Sequence, residues 1–170
     1  FKKISFYFKN PNFNNENHSI SYGAFISEIE DDDVMSDSYK ISTKGLNLGY
    51  GIPLTENTRI NSKIEYAKND ITCGSGFSAS GYEPNQCATS ANDEYTLSVN
   101  WSESTLNDYM YPTEGRSNAL AIKLALPIGD YRYFNINANH KSYKPLSNDL
   151  TLKLTADLGL AKGYSGEELP

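Results

Sequence analysis

The sequence contains few cysteines, few histidines and no long apolar run, and each shortage argues against a class of protein. No stretch approaches the roughly 20 apolar residues of a membrane helix, and the mean hydropathy is −0.56, which argues against a helical membrane protein. The two histidines, His18 and His140, lie in different segments without ligand spacing, so we predict no metal site. The net charge is −6 and no basic patch is present, which argues against a nucleic-acid partner.

Cys73 and Cys87 are the two cysteines, and the residues between them are rich in Gly and Ser. We predict a disulfide that closes the tip of a long loop, because the alternative, a metal site, requires four ligands. Such a bond belongs in an oxidising compartment. It would stabilise the fold by roughly 3 kcal/mol on a loop-closure estimate.

Strict alternation of apolar and polar residues fills most of the chain, as between Tyr95 and Trp101 and between Leu120 and Leu126. Alternation with a period of two predicts β-strands with one apolar face, and no segment shows helical periodicity. We predict about eight strands joined as successive hairpins, near residues 1–9, 18–28, 39–52, 58–68, 93–103, 117–127, 131–143 and 150–161.

The predicted connections differ between the two ends of the sheet. Those near 10–16, 53–57, 104–116 and 144–149 each contain Pro. Two of the others, near 29–38 and 69–92, are long, and the third, near 128–130, is brief. One rim therefore has mainly compact turns and the other has the long loops, as in transmembrane barrels with short periplasmic turns.

Repeated strands of more than about nine residues fit tilted membrane crossings better than the strands of a sandwich. The fold class predicted is therefore all-β: an antiparallel up-and-down meander that forms part of a transmembrane β-barrel. A soluble β-sandwich or lipocalin-like barrel is the alternative. We expect the chain to be an internal segment of a longer protein, because it opens within an alternating run.

Three sets of residues follow from the barrel interpretation. The acidic loop 28–38 is a solvated loop, with weak cation association left open, because it lacks the ligand pattern of an EF-hand. An aromatic girdle is expected at the rim with the compact turns, formed by Trp101, Tyr109, Tyr111 and Tyr143. Polar residues are expected to line the lumen, namely Lys44, Arg59, Asn61, Lys63, Glu65, Lys123, Asn135, Asn137, Lys153 and Asp157.

Five ordered segments resemble motifs of the bacterial surface antigen family, the outer-membrane barrel-assembly proteins. Residues 101–115 carry the most specific match: Trp, a polar stretch with Leu, an aromatic pair, and Pro-Thr-Glu-Gly. Residues 10–13 and 50–54 resemble two of the family's turns, and 143–146 and 163–170 resemble two further segments. The resemblance covers essentially the whole of residues 1–170.

The resemblance implies a partial barrel domain, similar to strands four to eleven of the family's sixteen. This segment lacks the family's periplasmic POTRA domains and its Arg-Gly-Phe motif. It also lacks the first and last strands of the family's barrel, which meet at the barrel's seam. The implied location is the outer membrane of a Gram-negative bacterium. The implied function is to form part of the insertase that folds and inserts outer-membrane proteins. The implied partners are outer-membrane lipid and lipopolysaccharide, accessory lipoproteins, and nascent outer-membrane proteins through parts of the parent outside this chain.

The resemblance implies that one periplasmic turn could contact accessory lipoproteins or the POTRA domains. The alternative is that it is simply a well-made turn. Its residues are Asp108, Tyr109, Tyr111, Pro112, Thr113, Glu114, Gly115 and Arg116.

We predict no enzyme and no cofactor, because neither histidine has an obvious catalytic partner. A passive outer-membrane pore or adhesin barrel, or a soluble β-barrel binding domain, is the alternative function.

Overall fold

The computed structural model describes residues 1–14, 16–31, 39–73, 90–147 and 149–165. Within these ranges the chain forms eight β-strands, as the alternation predicts. Their bounds are β1 Lys2–Asn10, β2 Ser19–Asp31, β3 Tyr39–Thr55, β4 Thr58–Cys73, β5 Ser90–Ser104, β6 Gly115–Ala125, β7 Tyr133–Pro145 and β8 Thr151–Gly163. The described part of the chain has no helix that is long and apolar enough to cross a membrane.

The eight strands form one sheet in the order of the sequence, and every neighbouring pair is antiparallel. This confirms the predicted up-and-down meander. Antiparallel neighbours place alternate connections at opposite ends of the sheet. The connections β1–β2, β3–β4, β5–β6 and β7–β8 therefore share one rim, which we call the turn rim, and the others share the opposite, loop rim.

The register places the apolar residues of neighbouring strands side by side on one face, which we call the outer face. A typical row across it joins Phe8, Tyr22, Leu48, Ile64, Leu97, Leu124 and Phe134. Leu152, Leu154 and Leu158 lie on the same face of β8 and are exposed. The predicted assignment of apolar and polar faces is therefore confirmed for these strands.

Two side chains lie on the face opposite to the one predicted. Lys44 is in register with Ile26 and in phase with Leu46, so it lies on the outer face and not in the lumen. Tyr143 is in register with Lys153, which lies on the polar face. Since side chains two apart on a strand share a face, the parity of Lys44 already contradicted its assignment to the lumen.

The most crowded positions of the sheet lie on the polar face, which we call the inner face. Ser19, Ala67, Thr96 and Ala125 are buried there, whereas the large apolar side chains of the outer face are exposed. Small residues are needed where a side chain from the neighbouring strand lies over the backbone. A Cβ added at Gly45, for example, would lie 2.5 Å from the Phe25 ring. Crowding on this side and openness on the other indicate that the inner face is concave.

The outer face meets no second layer of protein within the described residues, where all eight strands belong to one sheet. Strands β1 and β8 are its two edges, and no described ladder joins them. A sandwich or a closed soluble barrel would bury its apolar face. The soluble alternatives therefore do not agree with the described structure.

The apolar part of the outer face has the height of a bilayer core. On β5 it is bounded by Asp93 towards the loop rim and Glu103 towards the turn rim, ten positions apart. At about 3.3 Å per residue this is roughly 33 Å of strand, and a tilt of about 40° reduces it to a height of about 25 Å. That height matches the apolar band of outer-membrane barrels. We call this band, which Asp93 and Glu103 bound on β5, the apolar belt.

Two predicted features fall largely on residues outside the described ranges. Strand β2 continues to Asp31, so the acidic loop begins later than predicted, and residues 32–38 lie outside the described part. Cys73 ends β4, but Cys87 lies outside the described residues, so the disulfide stays a prediction.

Candidate functional site

The candidate site is the connection between β5 and β6 at the turn rim. Hydrogen bonds join its two arms at two levels. At each level a side-chain oxygen, of Thr105 or of Asn107, accepts hydrogen bonds from backbone amides. At its base, the Thr105 amide donates to the Arg116 carbonyl at 2.8 Å, and the Arg116 amide donates to the Thr105 hydroxyl at 3.2 Å. Further out, the Asn107 amide donates to the Glu114 carbonyl at 3.1 Å.

The side chain of Asn107 organises the middle of the turn. Its carbonyl oxygen accepts hydrogen bonds from the Thr113 and Glu114 amides, each at 3.0 Å. Its amide nitrogen donates to the Thr113 hydroxyl at 2.8 Å. One side chain thus replaces the ladder bonds that end with β5 and ties the two arms of the turn together.

Asp108 fixes the tip of the turn. Its carboxylate accepts hydrogen bonds from the Tyr111 amide at 2.8 Å and the Met110 amide at 2.7 Å. These two bonds hold the pKa of the Asp108 carboxyl below its ordinary value, because they favour the charged form.

Gly115 is the hinge at which the turn re-enters the sheet. Its φ of +103° is one that residues with a Cβ rarely adopt. An added Cβ would also overlap the Thr105 carbonyl. The glycine of the Pro-Thr-Glu-Gly motif is therefore required by the backbone.

The hydrogen-bonded turn presents three largely apolar side chains to the outside. Tyr109 is 96% exposed, Met110 75% and Tyr111 78%. A contiguous exposed group of this kind, held on an ordered loop, is typical of a surface that contacts a partner or a membrane interface. The structure thus brings Asp108, Tyr109, Tyr111, Thr113, Glu114, Gly115 and Arg116 together, with Pro112 between them.

A polar network lies beside the turn, on the outer face at the lower boundary of the belt. The Glu103 carboxylate accepts hydrogen bonds from Arg116 Nη2 at 3.2 Å and Asn118 Nδ2 at 2.8 Å. His140 Nδ1 lies 2.6 Å from Asn118 Oδ1. These four residues, which we call the turn-rim network, pair each other's polar groups where the apolar belt ends. Our sequence reasoning missed the network because its members come from three strands and only register brings them together.

The histidines do not form a catalytic arrangement with the groups they contact. His18 Nδ1 lies 2.6 Å from the Tyr50 hydroxyl, and its Nε2 lies 3.5 Å from Glu16. The partner of His140 is the Asn118 amide oxygen. Among the described residues, no group of three or more His, Cys, Asp or Glu could hold a metal ion.

The inner face carries a second polar cluster, far from the turn. Glu94 Oε1 accepts hydrogen bonds from the Tyr133 hydroxyl at 2.6 Å and from Lys123 Nζ at 3.2 Å. The Lys123 ammonium also lies 5.4 Å from the centre of the Tyr133 ring. Lys123 was predicted to lie in the lumen, and its side chain does lie on the inner face.

The comparisons with known proteins agree with this architecture. A family model described as the Omp85 superfamily domain matches residues 2–170. The outer membrane protein assembly factor BamA of Neisseria meningitidis serogroup B is 23% identical over 188 residues, which are 96% of this chain and 22% of that protein. The crystal structure of BamA from Haemophilus ducreyi lacking POTRA domains 1–3 has a TM-score of 0.81 at 20% identity. The match covers 99% of this chain and 34% of that one. The chain thus spans about a fifth of the curated relative's length.

Proposed function

Because the chain belongs to the Omp85 superfamily, we propose that it forms part of the barrel wall of a protein that folds and inserts other outer-membrane proteins. Membership confirms the predicted relation to the barrel-assembly proteins, a non-enzymatic family of the outer membrane of Gram-negative bacteria. Within such a protein, residues 1–170 would correspond to strands four to eleven of sixteen.

The observation that carries the proposal is the apolar belt on a sheet with two open edges. The outer face is apolar over about bilayer height on β5, between Asp93 and Glu103, so it is suited to lipid. The open edges at β1 and β8 suit a segment of a larger barrel, because lipid does not tolerate unpaired strand edges. The assembly activity of the whole protein also requires parts that lie outside this chain.

We propose further that the turn rim faces the periplasm and that the turn between β5 and β6 contacts an accessory lipoprotein of the assembly machinery. Three observations support this: the turn is internally hydrogen-bonded, its tip exposes Tyr109, Met110 and Tyr111, and its motif is the most specific family match. Interface aromatics anchor to a bilayer in the same way, so the test must separate a protein partner from lipid.

The activity is tested with the full-length protein, as the only copy in cells and in proteoliposomes. We expect depletion to lower the amount of folded outer-membrane porin, seen as loss of its heat-modifiable gel band. An unfolded porin added to loaded proteoliposomes should fold faster than with empty liposomes. A protein that conducts ions but accelerates no folding would instead be a passive pore, which is the alternative function.

The partner contact is tested by changing Tyr109, Met110 and Tyr111 together to Ser in the full-length protein. The matched control is Ile128→Ser, because Ile128 is 71% exposed on the connection at the opposite rim. We expect the triple variant to copurify with less accessory lipoprotein and the control to retain all of it. If the triple variant keeps the lipoproteins but loses binding to protein-free liposomes, the tip is a lipid anchor and the proposed contact is wrong.

A further inference from the structure

The tip of the turn between β5 and β6 carries the only methionine within the described ranges. The sequence contains two methionines, and the other, Met35, lies outside those ranges. Met110 is 75% exposed and stands between Tyr109, which is 96% exposed, and Tyr111, which is 78% exposed. A side chain exposed to this extent leaves its thioether sulfur open to small solutes.

Hydrogen bonds within the turn hold Met110 in this exposed position. The Asp108 carboxylate accepts hydrogen bonds from the Met110 amide at 2.7 Å and the Tyr111 amide at 2.8 Å. One level below, the Asn107 side chain accepts a hydrogen bond from the Thr113 amide at 3.0 Å. The backbone of the tip thus finds its partners inside the turn and does not fold back over the sheet to reach them.

Oxidation changes the polarity of a methionine and leaves the backbone intact. In the reaction with hydrogen peroxide, the sulfur lone pair attacks one peroxide oxygen, so that an S–O bond forms while the O–O bond breaks. The sulfur loses two electrons, and the departing hydroxide takes the proton of the transferred oxygen to form water. The resulting sulfoxide is polar and disrupts apolar contacts that the thioether makes, and reductases return it to the thioether.

We propose that Met110 is a reversible oxidation site that regulates the partner contact of the turn tip. This inference rests on the contact with an accessory lipoprotein and on the periplasmic orientation of the turn rim proposed above. The periplasm is an oxidising compartment, and the co-reactant is a peroxide. In the thioether state the tip presents one largely apolar surface, and in the sulfoxide state a polar group lies at its centre and weakens the contact. A bound partner covers the sulfur and protects it.

The oxidation site is tested on the full-length protein in detergent micelles, treated with hydrogen peroxide and digested for peptide mass spectrometry. We expect Met110 to gain one oxygen at a rate within about threefold of that of free N-acetylmethionine amide, because exposure governs the reaction. A slower reaction would show that the sulfur is shielded and would overturn the site. Adding back the lipoproteins that copurify with the full-length protein should slow the oxidation, and an unchanged rate would show that Met110 lies outside the contact.

The regulation is tested by measuring the binding of the same lipoprotein fraction before and after peroxide treatment. We expect the apparent Kd of the unaltered protein to rise about tenfold on oxidation, which corresponds to losing most of the burial of one methionine side chain. Methionine sulfoxide reductase should reverse the rise. Met110→Leu has no sulfur, so its Kd should be the same before and after treatment. Met110→Gln places a polar side chain of similar length at the tip and should bind weakly without treatment.

Two outcomes would contradict the regulation. A protein that gains the oxygen at Met110 and binds the lipoproteins as before would show that oxidation has no effect on the contact. A rise in the Kd of Met110→Leu on treatment would assign the effect to another group. Failure of the proposed contact itself is recognised separately, because the triple Ser variant described above would then also retain the lipoproteins.

Discussion

The two ends of the apolar belt differ in how the polar and charged side chains at its boundary are paired. At the turn rim, Glu103 accepts hydrogen bonds from Arg116 and Asn118, and His140 contacts Asn118. At the loop rim, Lys40 and Glu28 form an ion pair, but the described residues provide none for Lys44 or Lys68. One end pairs its polar groups through hydrogen bonds, whereas at the other end the Asp93 carboxylate lies opposite Lys68 in the register without a salt bridge among the described residues.

The difference shows which parts of the outer face depend on the bilayer. Side chains that pair with each other keep their interaction in detergent or in water, although exposed pairs contribute little. Apolar side chains exposed on the outer face are stabilised only by what covers them, which in a membrane is lipid. The turn-rim network should therefore behave alike in any solvent, whereas the stability of the belt should depend on the lipid.

The largest expected effect concerns the belt itself. Ile64 is 55% exposed on the outer face, so Ile64→Arg meets few protein atoms. In a bilayer we expect it to lower the free energy of unfolding of the full-length protein by about 2–4 kcal/mol, the cost of arginine near the midplane. Reversible urea unfolding in bilayers measures this value. The control is Asn47→Arg on the inner face, opposite Glu65, which should cost less than about 1 kcal/mol. Equal costs would contradict the assignment of the two faces.

The next effect concerns the rigidity of the turn rim. Gly115→Ala places a Cβ against the Thr105 carbonyl at a φ of +103°, and such strain costs about 1–3 kcal/mol. We expect faster hydrogen exchange at the amides of Thr105 and Arg116. Gly159→Ala is the control, since its Cβ would lie 3.2 Å from the Asn137 amide oxygen without positive φ. An unchanged turn in Gly115→Ala would show that the motif glycine is not required.

One substitution at each end of the belt tests the difference between the two ends. Glu103→Gln leaves Arg116 without its anion and weakens the hydrogen bond from Asn118, so it should slightly lower the free energy of unfolding in detergent micelles. Lys68→Gln removes a cation that forms no salt bridge among the described residues, so it should lower that value by less than Glu103→Gln does. Equilibrium unfolding in the same detergent compares the two variants. A larger loss of stability in Lys68→Gln than in Glu103→Gln would contradict the difference between the two rims.

The smallest effect is the pH dependence of the turn tip. Because the folded-state pKa of Asp108 lies below its value in the unfolded chain, its hydrogen bonds stabilise the tip above that ordinary value, near 3.8. The stabilisation is lost as the pH falls through the lowered pKa. We expect the amides of Met110 and Tyr111 to lose protection from exchange below about pH 4. Asp108→Asn should remove the pH dependence. A tip that loosens on raising the pH would contradict the assignment.

Much of the fold was predictable because each strand of a β meander leaves a local pattern in the sequence. Alternation of period two located all eight strands to within a few residues, and the Pro-bearing segments located the turns. Strands β2 and β4 extend three to five residues beyond the predicted ends, because polar residues such as Asp70 continue the ladder. Loop composition does not distinguish a strand that rises above a membrane from an irregular loop.

The candidate site was only partly predictable for a different reason. The turn motif is contiguous in sequence, so Asp108 and Gly115 could be identified from residue type alone. The turn-rim network depends on register across three strands, which a single sequence does not specify. The pairing of Lys44 with Lys68 depends on register in the same way.

The strictly sequential pairing of the sheet also has a mechanical consequence. Each strand shares ladders only with its neighbours in the chain, so a force applied at one edge is borne by one hairpin before it reaches the next. At about 3.4 Å per extended residue, detaching a hairpin of roughly 30 residues releases about 100 Å of chain. Under tension the sheet should therefore unfold one hairpin at a time, and each hairpin should release about that length of chain.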